Sequence, residues 1–136
     1  NKVAYKDFAH SPSKVSATTK AVKSQYPDRK LIACLELHTY SSLNAEFLKE
    51  YQGALDAADV AVVFYSPDAV KIKRLEEVSY DQISQSFQRE DLIIYTNPTE
   101  FKDFLFSQNL ENSALLLMSS GNYGGLNFDE VKGLIN

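Results

Sequence analysis

The first segment whose residue types could do chemistry surrounds the first of the two histidines of the chain. It contains Asp7, His10, Ser11, Ser13 and Lys14 within eight residues. A predicted strand ends here, and Ser11 followed by Pro12 indicates the start of a helix. Free backbone N–H groups at a helix N-terminus favour anions, and Lys14 in the first turn fits a nearby anion. A structural alternative stays open, with Ser11 as a helix cap, Lys14 in solvent and Asp7 as an ordinary strand-end residue.

A second polar segment follows the next predicted strand. It consists of His38, Thr39, Tyr40, Ser41 and Ser42, with Asn44 close behind. These imidazole, hydroxyl and phenol groups are suited to hydrogen-bonding a polar ligand. The alternative is an ordinary loop in which Ser42 caps a helix.

The third segment is rich in glycine and follows the last predicted strand. Its sequence SSGNYGG carries Ser120 and Asn122 beside glycines at 121, 124 and 125. This spacing matches neither of the phosphate-loop patterns GxGxxG and GxxxxGK[ST]. We therefore predict a tight turn with a close backbone approach.

The composition excludes several classes of function. A total of 14 Lys+Arg against 18 Asp+Glu gives a net charge of -4, which leaves no broad basic surface for a nucleic acid. No apolar stretch approaches the roughly 18 to 20 residues that span a bilayer, so no membrane partner is expected. The histidines are 28 positions apart and the single cysteine, Cys34, lies in an apolar run, so neither a metal site nor a reactive thiol is indicated. No GxSxG context supports a serine nucleophile, and the lack of a cysteine pair suits the cytoplasm.

The elements that position these segments alternate between strands and helices. Continuous apolar runs such as VAVVFY and ALLLM predict strands covered on both faces, as in parallel sheets. The predicted strands are 3–9, 30–37, 60–65, 92–96 and 114–119. Helices are predicted after Ser11, Ser79, Asn97 and Asn127. Another helix is predicted from the apolar stripe Phe47, Leu48, Tyr51, Leu55 and Ala58.

This alternation predicts a single α/β domain over residues 1–136. We expect a Rossmann-like, doubly wound and mainly parallel sheet of five or six strands with helices on both faces. In such sheets the ligand crevice lies beyond the carboxyl ends of the strands. The three polar segments are therefore expected to meet at one edge of the sheet.

Three stretches of this sequence resemble the Mur ligases of peptidoglycan synthesis. DFAHSPSKV resembles the DYAHHPTEV-type segment that opens their C-terminal domain, KLIACLELHTYSS resembles a strand and loop with a PHTYSR-like segment, and SALLLMSSGNYGGL resembles an MSNGGFGG-like segment. The matches span almost the whole chain. Within the family, the chain is most similar to the recycling branch, which joins L-alanyl-γ-D-glutamyl-meso-diaminopimelate to UDP-N-acetylmuramate. The branch that adds L-alanine is the near alternative.

The resemblance implies binding roles for this domain and no catalytic residue. Asp7 and His10 match motif residues expected near the nucleotide. Substrate binding is implied for His10, Ser11, Lys14, His38, Thr39, Tyr40, Ser41, Ser42, Ser120 and Asn122. Ser11, Lys14 and Ser42 depart from the pattern, which has a histidine, an acid and an arginine at those positions.

The resemblance also implies ATP and Mg²⁺ as cofactors, held mainly by a central domain upstream of this chain. The chain is then expected to be a fragment, the C-terminal lid of a cytoplasmic ligase, and to be inactive without its N-terminal and central domains. Its implied partners are UDP-N-acetylmuramate, ATP and an amino acid or tripeptide.

Two other classes stay open from the residues alone. A stand-alone flavodoxin-like module would hold a flavin phosphate after the first strand, although hydroxyl groups are sparse there. Aromatic residues suited to sandwich a flavin ring are limited to candidates such as Tyr40 and Tyr123. A receiver-like interaction module needs an acidic cluster at one strand end, where Asp7 stands alone.

Overall fold

The computed structural model describes residues 2–37, 48–66 and 80–135. The strands are β1 (Lys2–Asp7), β2 (Lys30–Glu36), β3 (Val60–Phe64), β4 (Ile93–Tyr95) and β5 (Ser113–Met118). The helices of the described residues are α1 (Pro12–Gln25), α2 (Tyr80–Phe87), α3 (Pro98–Ser107) and α4 (Phe128–Lys132), with a short 3₁₀ helix at Lys49–Tyr51. Every predicted strand is found within two residues of its predicted bounds.

The five strands form one sheet in the order β1-β5-β2-β3-β4, and every pair is parallel. The last of these strands in sequence, β5, lies between the first two: Met118 is paired with Asp7 of β1 on one side and with Leu35 of β2 on the other. The predicted α/β, doubly wound, parallel architecture is confirmed.

Both faces of the sheet are covered, which explains the continuous apolar runs. In β2, Leu31, Ala33 and Leu35 pack on the face covered by α1 and α2, whereas Ile32 and Cys34 pack on the face covered by α3 and α4. All six residues of β5 are buried. Cys34 is fully buried, and this burial raises the pKa of its thiol, so Cys34 is a core residue as predicted.

Side-chain caps begin two of the helices as the sequence predicted. Asn97 Oδ1 accepts hydrogen bonds from the N–H groups of Thr99 (2.8 Å) and Glu100 (3.2 Å), and Asn127 Oδ1 accepts one from Asp129 N–H at 2.9 Å. Ser11 occupies the N-cap of α1, but its side chain makes no capping hydrogen bond. Ser79 lies outside the described residues.

Among the described residues of the predicted helix over 47–58, Leu48 is α-helical, but the prediction is wrong from residue 49 onward. After the 3₁₀ helix at Lys49–Tyr51 the chain continues as turns to residue 57, and Gly53 adopts a left-handed φ of +75°. Leu48, Tyr51, Leu55 and Ala58 are nevertheless buried, as the apolar stripe predicted. The spacing of the apolar residues correctly identified which side chains face the core. It did not distinguish a helix from a series of turns with a left-handed glycine, because both bury the same residues.

In the part of the chain that the structure describes, no helix is long and apolar enough to cross a membrane.

Candidate ligand-binding site at the carboxyl edge of the sheet

The carboxyl ends of β1, β5 and β2 lie side by side, because both outer strands pair in parallel with β5. Ser119, the first residue after β5, contacts both neighbours. Its N–H donates to the carbonyl oxygen of Asp7 (3.0 Å), and its hydroxyl donates to Glu36 Oε1 (2.5 Å). The first histidine segment follows β1 and the glycine-rich turn follows β5, so the two meet at the carboxyl edge of the sheet. Through Glu36 the turn also contacts the end of β2. The second histidine segment, with His38, Thr39, Tyr40, Ser41 and Ser42, lies outside the described residues.

The first histidine segment forms an open cleft at the start of α1. The cleft has a volume of about 320 Å³ and is lined by Asp7, Phe8, Ala9, His10, Lys14, Ala17 and Thr18. Asp7 Oδ1 accepts a hydrogen bond from Ala9 N–H at 2.7 Å, a local side-chain contact typical of turns. Three of the predicted residues, Asp7, His10 and Lys14, thus share one cleft. Ser11 is not among its lining residues.

The backbone around His10 is held by a residue that the sequence did not single out for the site. Tyr51 Oη donates to the carbonyl oxygen of His10 at 2.5 Å, and the Tyr51 ring stacks on Phe87 with centroids 5.2 Å apart. Tyr51 is fully buried, and burial raises the pKa of its phenol. The apolar stripe marked Tyr51 as a core residue, but no pattern connected its hydroxyl with His10.

The glycine-rich turn contains three consecutive residues with positive φ: Tyr123 (55°), Gly124 (74°) and Gly125 (115°). A Cβ added at Gly124 would lie 2.8 Å from Pro98 Cγ, so the backbone approaches α3 closely there. This confirms the predicted tight turn. A non-glycine residue rarely adopts positive φ, and such a conformation persists only where the surroundings enforce it.

Buried hydrogen bonds enforce the conformation of Tyr123. Its N–H donates to Glu36 Oε1 at 2.9 Å, and its hydroxyl lies 2.7 Å from Met118 O and 2.9 Å from Cys34 O, both acceptors. The ring stacks on Phe101 with centroids 4.8 Å apart. Burial, followed by the proximity of Cys34 and Glu36, raises the pKa of Tyr123, so the phenol stays protonated.

Glu36 is a residue of this edge that sequence analysis missed. The residue is 3% exposed, and its carboxylate accepts hydrogen bonds from Ser119 and Tyr123 on the turn after β5. A buried acid normally requires such partners. The available signal was the acid in the apolar run LIACLEL, but the sequence does not reveal its partners, which lie more than 80 residues away.

Ser120 and Asn122, the predicted ligand residues of the turn, have different environments. The Ser120 hydroxyl is a buried polar atom with no hydrogen-bond partner among the described residues. Asn122 is exposed and shapes the turn, because its backbone oxygen accepts from Leu126 N–H (2.7 Å) and its Oδ1 accepts from Gly125 N–H (3.1 Å). A buried hydroxyl without a partner is unusual in a folded protein, so Ser120 differs from Asn122, whose Oδ1 is used within the turn.

The described residues contain no group of three or more His, Cys, Asp or Glu side chains that could hold a metal ion. Asp7 is the one carboxylate among the residues that line the cleft. A magnesium ion prefers octahedral oxygen coordination, so in the described part of the site it would need ligands from elsewhere.

The fold is that of the Rossmann-like C-terminal domains of Mur ligases. It matches a murein peptide ligase from Psychrobacter arcticus with a TM-score of 0.70 and 18% identity, over 98% of this chain and 27% of that one. It also matches a domain assigned to a UDP-N-acetylmuramate:L-alanyl-γ-D-glutamyl-diaminopimelate ligase from Haemophilus ducreyi. There the TM-score is 0.62 and the identity 23%, over 96% of this chain and 89% of that one.

The sequence relatives of the chain are Mur ligases as well. A UDP-N-acetylmuramate–L-alanine ligase from Sulfurihydrogenibium is 29% identical over 119 residues, which is 85% of this chain and 25% of the relative. An enzyme of the same name from Agathobacter rectalis is 29% identical over 128 residues, 93% of this chain and 27% of the relative. No protein-family model matches the chain. The chain spans about a quarter of the length of these curated relatives, and the similarity to Mur ligases predicted from its sequence is confirmed.

Proposed function

We propose that this chain is the C-terminal domain of a longer Mur ligase, an ATP-dependent enzyme that joins an amino acid or peptide to UDP-N-acetylmuramate. The similarity to Mur ligases over 85% and 93% of the chain supports this proposal. The observation that carries it is the meeting of two predicted segments at one edge of the sheet. There the cleft with Asp7, His10 and Lys14 adjoins the turn that carries Ser120.

In the proposed reaction, ATP phosphorylates the muramate carboxylate and leaves as ADP. The amine of the incoming amino acid or peptide then attacks the acyl carbon. A C–N bond forms, the C–O bond to phosphate breaks, phosphate leaves and the amine loses a proton. An acyl phosphate is hydrolysed by water, so the amine must be positioned and water must be excluded. We assign both tasks to this domain, acting as a lid over a central domain that mainly holds ATP and Mg²⁺.

The described residues can supply binding groups for this task. Asp7 uses Oδ1 for the Ala9 N–H, and its second carboxylate oxygen can accept a hydrogen bond from a nucleotide ribose. Lys14 lines the same cleft and can pair with an anionic group. Further substrate contacts are proposed for His10, Ser11, Ser120 and Asn122, and for His38, Thr39, Tyr40, Ser41 and Ser42 of the second histidine segment.

Two acceptor substrates are supported by different observations. The tripeptide L-alanyl-γ-D-glutamyl-meso-diaminopimelate is favoured by the resemblance of the glycine-rich turn and by the names of two structural neighbours. L-alanine is favoured by the names of the sequence relatives. We propose the tripeptide first and L-alanine second. The cytoplasm is proposed as the location, because ATP and nucleotide-linked muramate are the other substrates.

The test is an assay of the full-length protein that contains this domain, with ATP, Mg²⁺ and UDP-N-acetylmuramate. Each acceptor is supplied in turn, and phosphate release and the nucleotide-linked product are measured. Product with the tripeptide supports the first candidate, product with L-alanine supports the second, and product with neither rejects both. Residues 1–136 alone are expected to form no product, and turnover by this chain alone would contradict the proposed division of labour between domains.

A further inference from the structure

The imidazole of His10 is held by the chain's own backbone. His10 Nδ1 lies 2.9 Å from the carbonyl oxygen of Phe8. A carbonyl oxygen can only accept a hydrogen bond, so Nδ1 must carry the proton that forms this bond. In the neutral imidazole the lone pair is then on Nε2.

The backbone of His10 is fixed by a second, independent contact. The Tyr51 hydroxyl donates to the His10 carbonyl oxygen at 2.5 Å. Tyr51 cannot easily move, because it is fully buried and its ring stacks on Phe87 at an interplanar angle of 20°. The buried phenol keeps its proton and stays a donor, since burial disfavours its charged form. The peptide that carries the imidazole is therefore anchored to the core.

We propose that His10 meets a ligand in the cleft as a hydrogen-bond acceptor through Nε2, and that Tyr51 is the positioning residue that maintains this arrangement. The matching ligand group is then a donor, either a hydroxyl group or an N–H group. A phosphate oxygen without a proton cannot fill this role opposite a neutral imidazole. This assignment adds to the binding site of the proposed function, and only the identity of the ligand rests on that function.

The arrangement of His10 can be tested without ligand or turnover. The chain has two histidines, so ¹⁵N NMR spectra can resolve both imidazoles, with His10→Gln used for assignment. At a pH where the imidazole is neutral, we expect wild-type His10 to have a protonated Nδ1 and an unprotonated Nε2. Tyr51→Phe keeps the ring but removes the hydroxyl, so this variant is expected to shift His10 towards a mixture of both tautomers.

Tyr26→Phe is the matched control. In the wild type, the Tyr26 hydroxyl lies 2.9 Å from the Tyr5 hydroxyl. Tyr26 follows the C-terminal end of α1, whereas His10 precedes its N-terminal end. This variant should leave the His10 tautomer unchanged. A wild-type His10 protonated on Nε2 would overturn the proposal, as would a Tyr51→Phe spectrum identical to wild type or an equal change in Tyr26→Phe.

A second measurement covers the case in which Tyr51→Phe does not fold. In the wild-type chain, a coupling across the hydrogen bond from the Tyr51 hydroxyl proton to the His10 carbonyl carbon supports the positioning role. Its absence overturns that role.

The ligand is identified by titration of the full-length protein that contains this domain, while the Nε2 resonance of His10 is followed. The probes are ATP, the 2′,3′-dideoxy analogue of ATP, the tripeptide and L-alanine. A shift with ATP that is lost with the analogue supports a ribose hydroxyl donor, and a shift with the tripeptide or L-alanine supports an amine donor. No shift with any of the four probes overturns the acceptor role of His10. The His10 tautomer is measured without ligand. A wrong prediction of the tautomer is therefore distinguishable from a failure of the proposed ligase function.

Discussion

The two described parts of the site are held in opposite ways. The first histidine segment lies in an open cleft, and side chains hold it by short-range bonds to its own backbone, with Tyr51 as one anchor from the core. The glycine-rich turn is held by contacts with the core, namely the buried carboxylate of Glu36 and the packed ring of Tyr123. Because buried polar contacts are more costly to break than exposed ones, the turn should be the more rigid part and the cleft the more adaptable one.

Removal of the Glu36 carboxylate should have the largest effect on stability. Glu36→Ala leaves the Ser119 hydroxyl and the Tyr123 N–H without their acceptor at a buried site. We expect a loss of about 3 kcal/mol in the free energy of unfolding, measured by urea denaturation. Glu36→Gln keeps a carbonyl oxygen in the same place and should lose clearly less. Equal stability of Glu36→Ala and wild type would show that the turn does not depend on this acid.

The next largest effect is expected at Gly124. Gly124→Ala combines a left-handed backbone with a Cβ placed 2.8 Å from Pro98 Cγ, so we expect a loss of about 2 kcal/mol in the free energy of unfolding. Gly125→Ala is the matched control, because its φ is +115° and no atom lies within 4 Å of the added Cβ. It should lose about 1 kcal/mol from backbone strain alone. If both variants lose the same amount in thermal or urea unfolding, the contact with Pro98 is unimportant.

High pH should lower the free energy of unfolding through both parts of the site, since each part is held by a buried tyrosine. The pKa values of Tyr51 and Tyr123 are raised by burial above the ordinary 10.0. Below pH 10.0 both tyrosines are protonated in the folded and in the unfolded chain. Above pH 10.0 the tyrosines of the unfolded chain lose their protons first. Stability should therefore fall by up to about 1.4 kcal/mol per pH unit for each tyrosine. Tyr51→Phe and Tyr123→Phe should each reduce this slope in urea unfolding at alkaline pH, and an unchanged slope in either variant would contradict its burial.

The smallest effect is expected in the cleft. Asp7→Ala removes the acceptor of the Ala9 N–H, a partly buried bond near solvent, so we expect a loss of about 0.5 to 1 kcal/mol in the free energy of unfolding. Asp7→Asn retains a carbonyl oxygen and serves as the control. A loss as large as that of Glu36→Ala would remove the contrast between the two parts of the site.

The sequence predicted the fold well because its signals are local. Apolar runs long enough for one strand marked all five strands, and Asn97 and Asn127 marked helix starts through residues two or three positions away. Local signals failed at residues 52–58, where the spacing of buried residues fits both a helix and a series of turns. The predicted strand ends also brought Asp7 and the glycine-rich turn to one edge of the sheet.

The parts of the site that the sequence did not predict depend on distant contacts. Glu36 is bonded to residues 83 and 87 positions away, and Tyr51 to a residue 41 positions away. A single sequence carries no local mark of such pairs, because Glu36 looks like any strand residue and Tyr51 like any core residue in its local sequence. Both were visible as residue types, an acid in an apolar run and a tyrosine on an apolar stripe, but their roles required coordinates.

The position of β5 has a consequence for how the domain forms during synthesis on the ribosome. Among the described strands, β1 pairs with β5 alone, so the earliest strand has no partner until the latest one has been translated. Pairing between such distant parts of a chain is slow and leaves an apolar edge exposed to other nascent chains. The sheet can therefore be completed only after Met118 has left the exit tunnel.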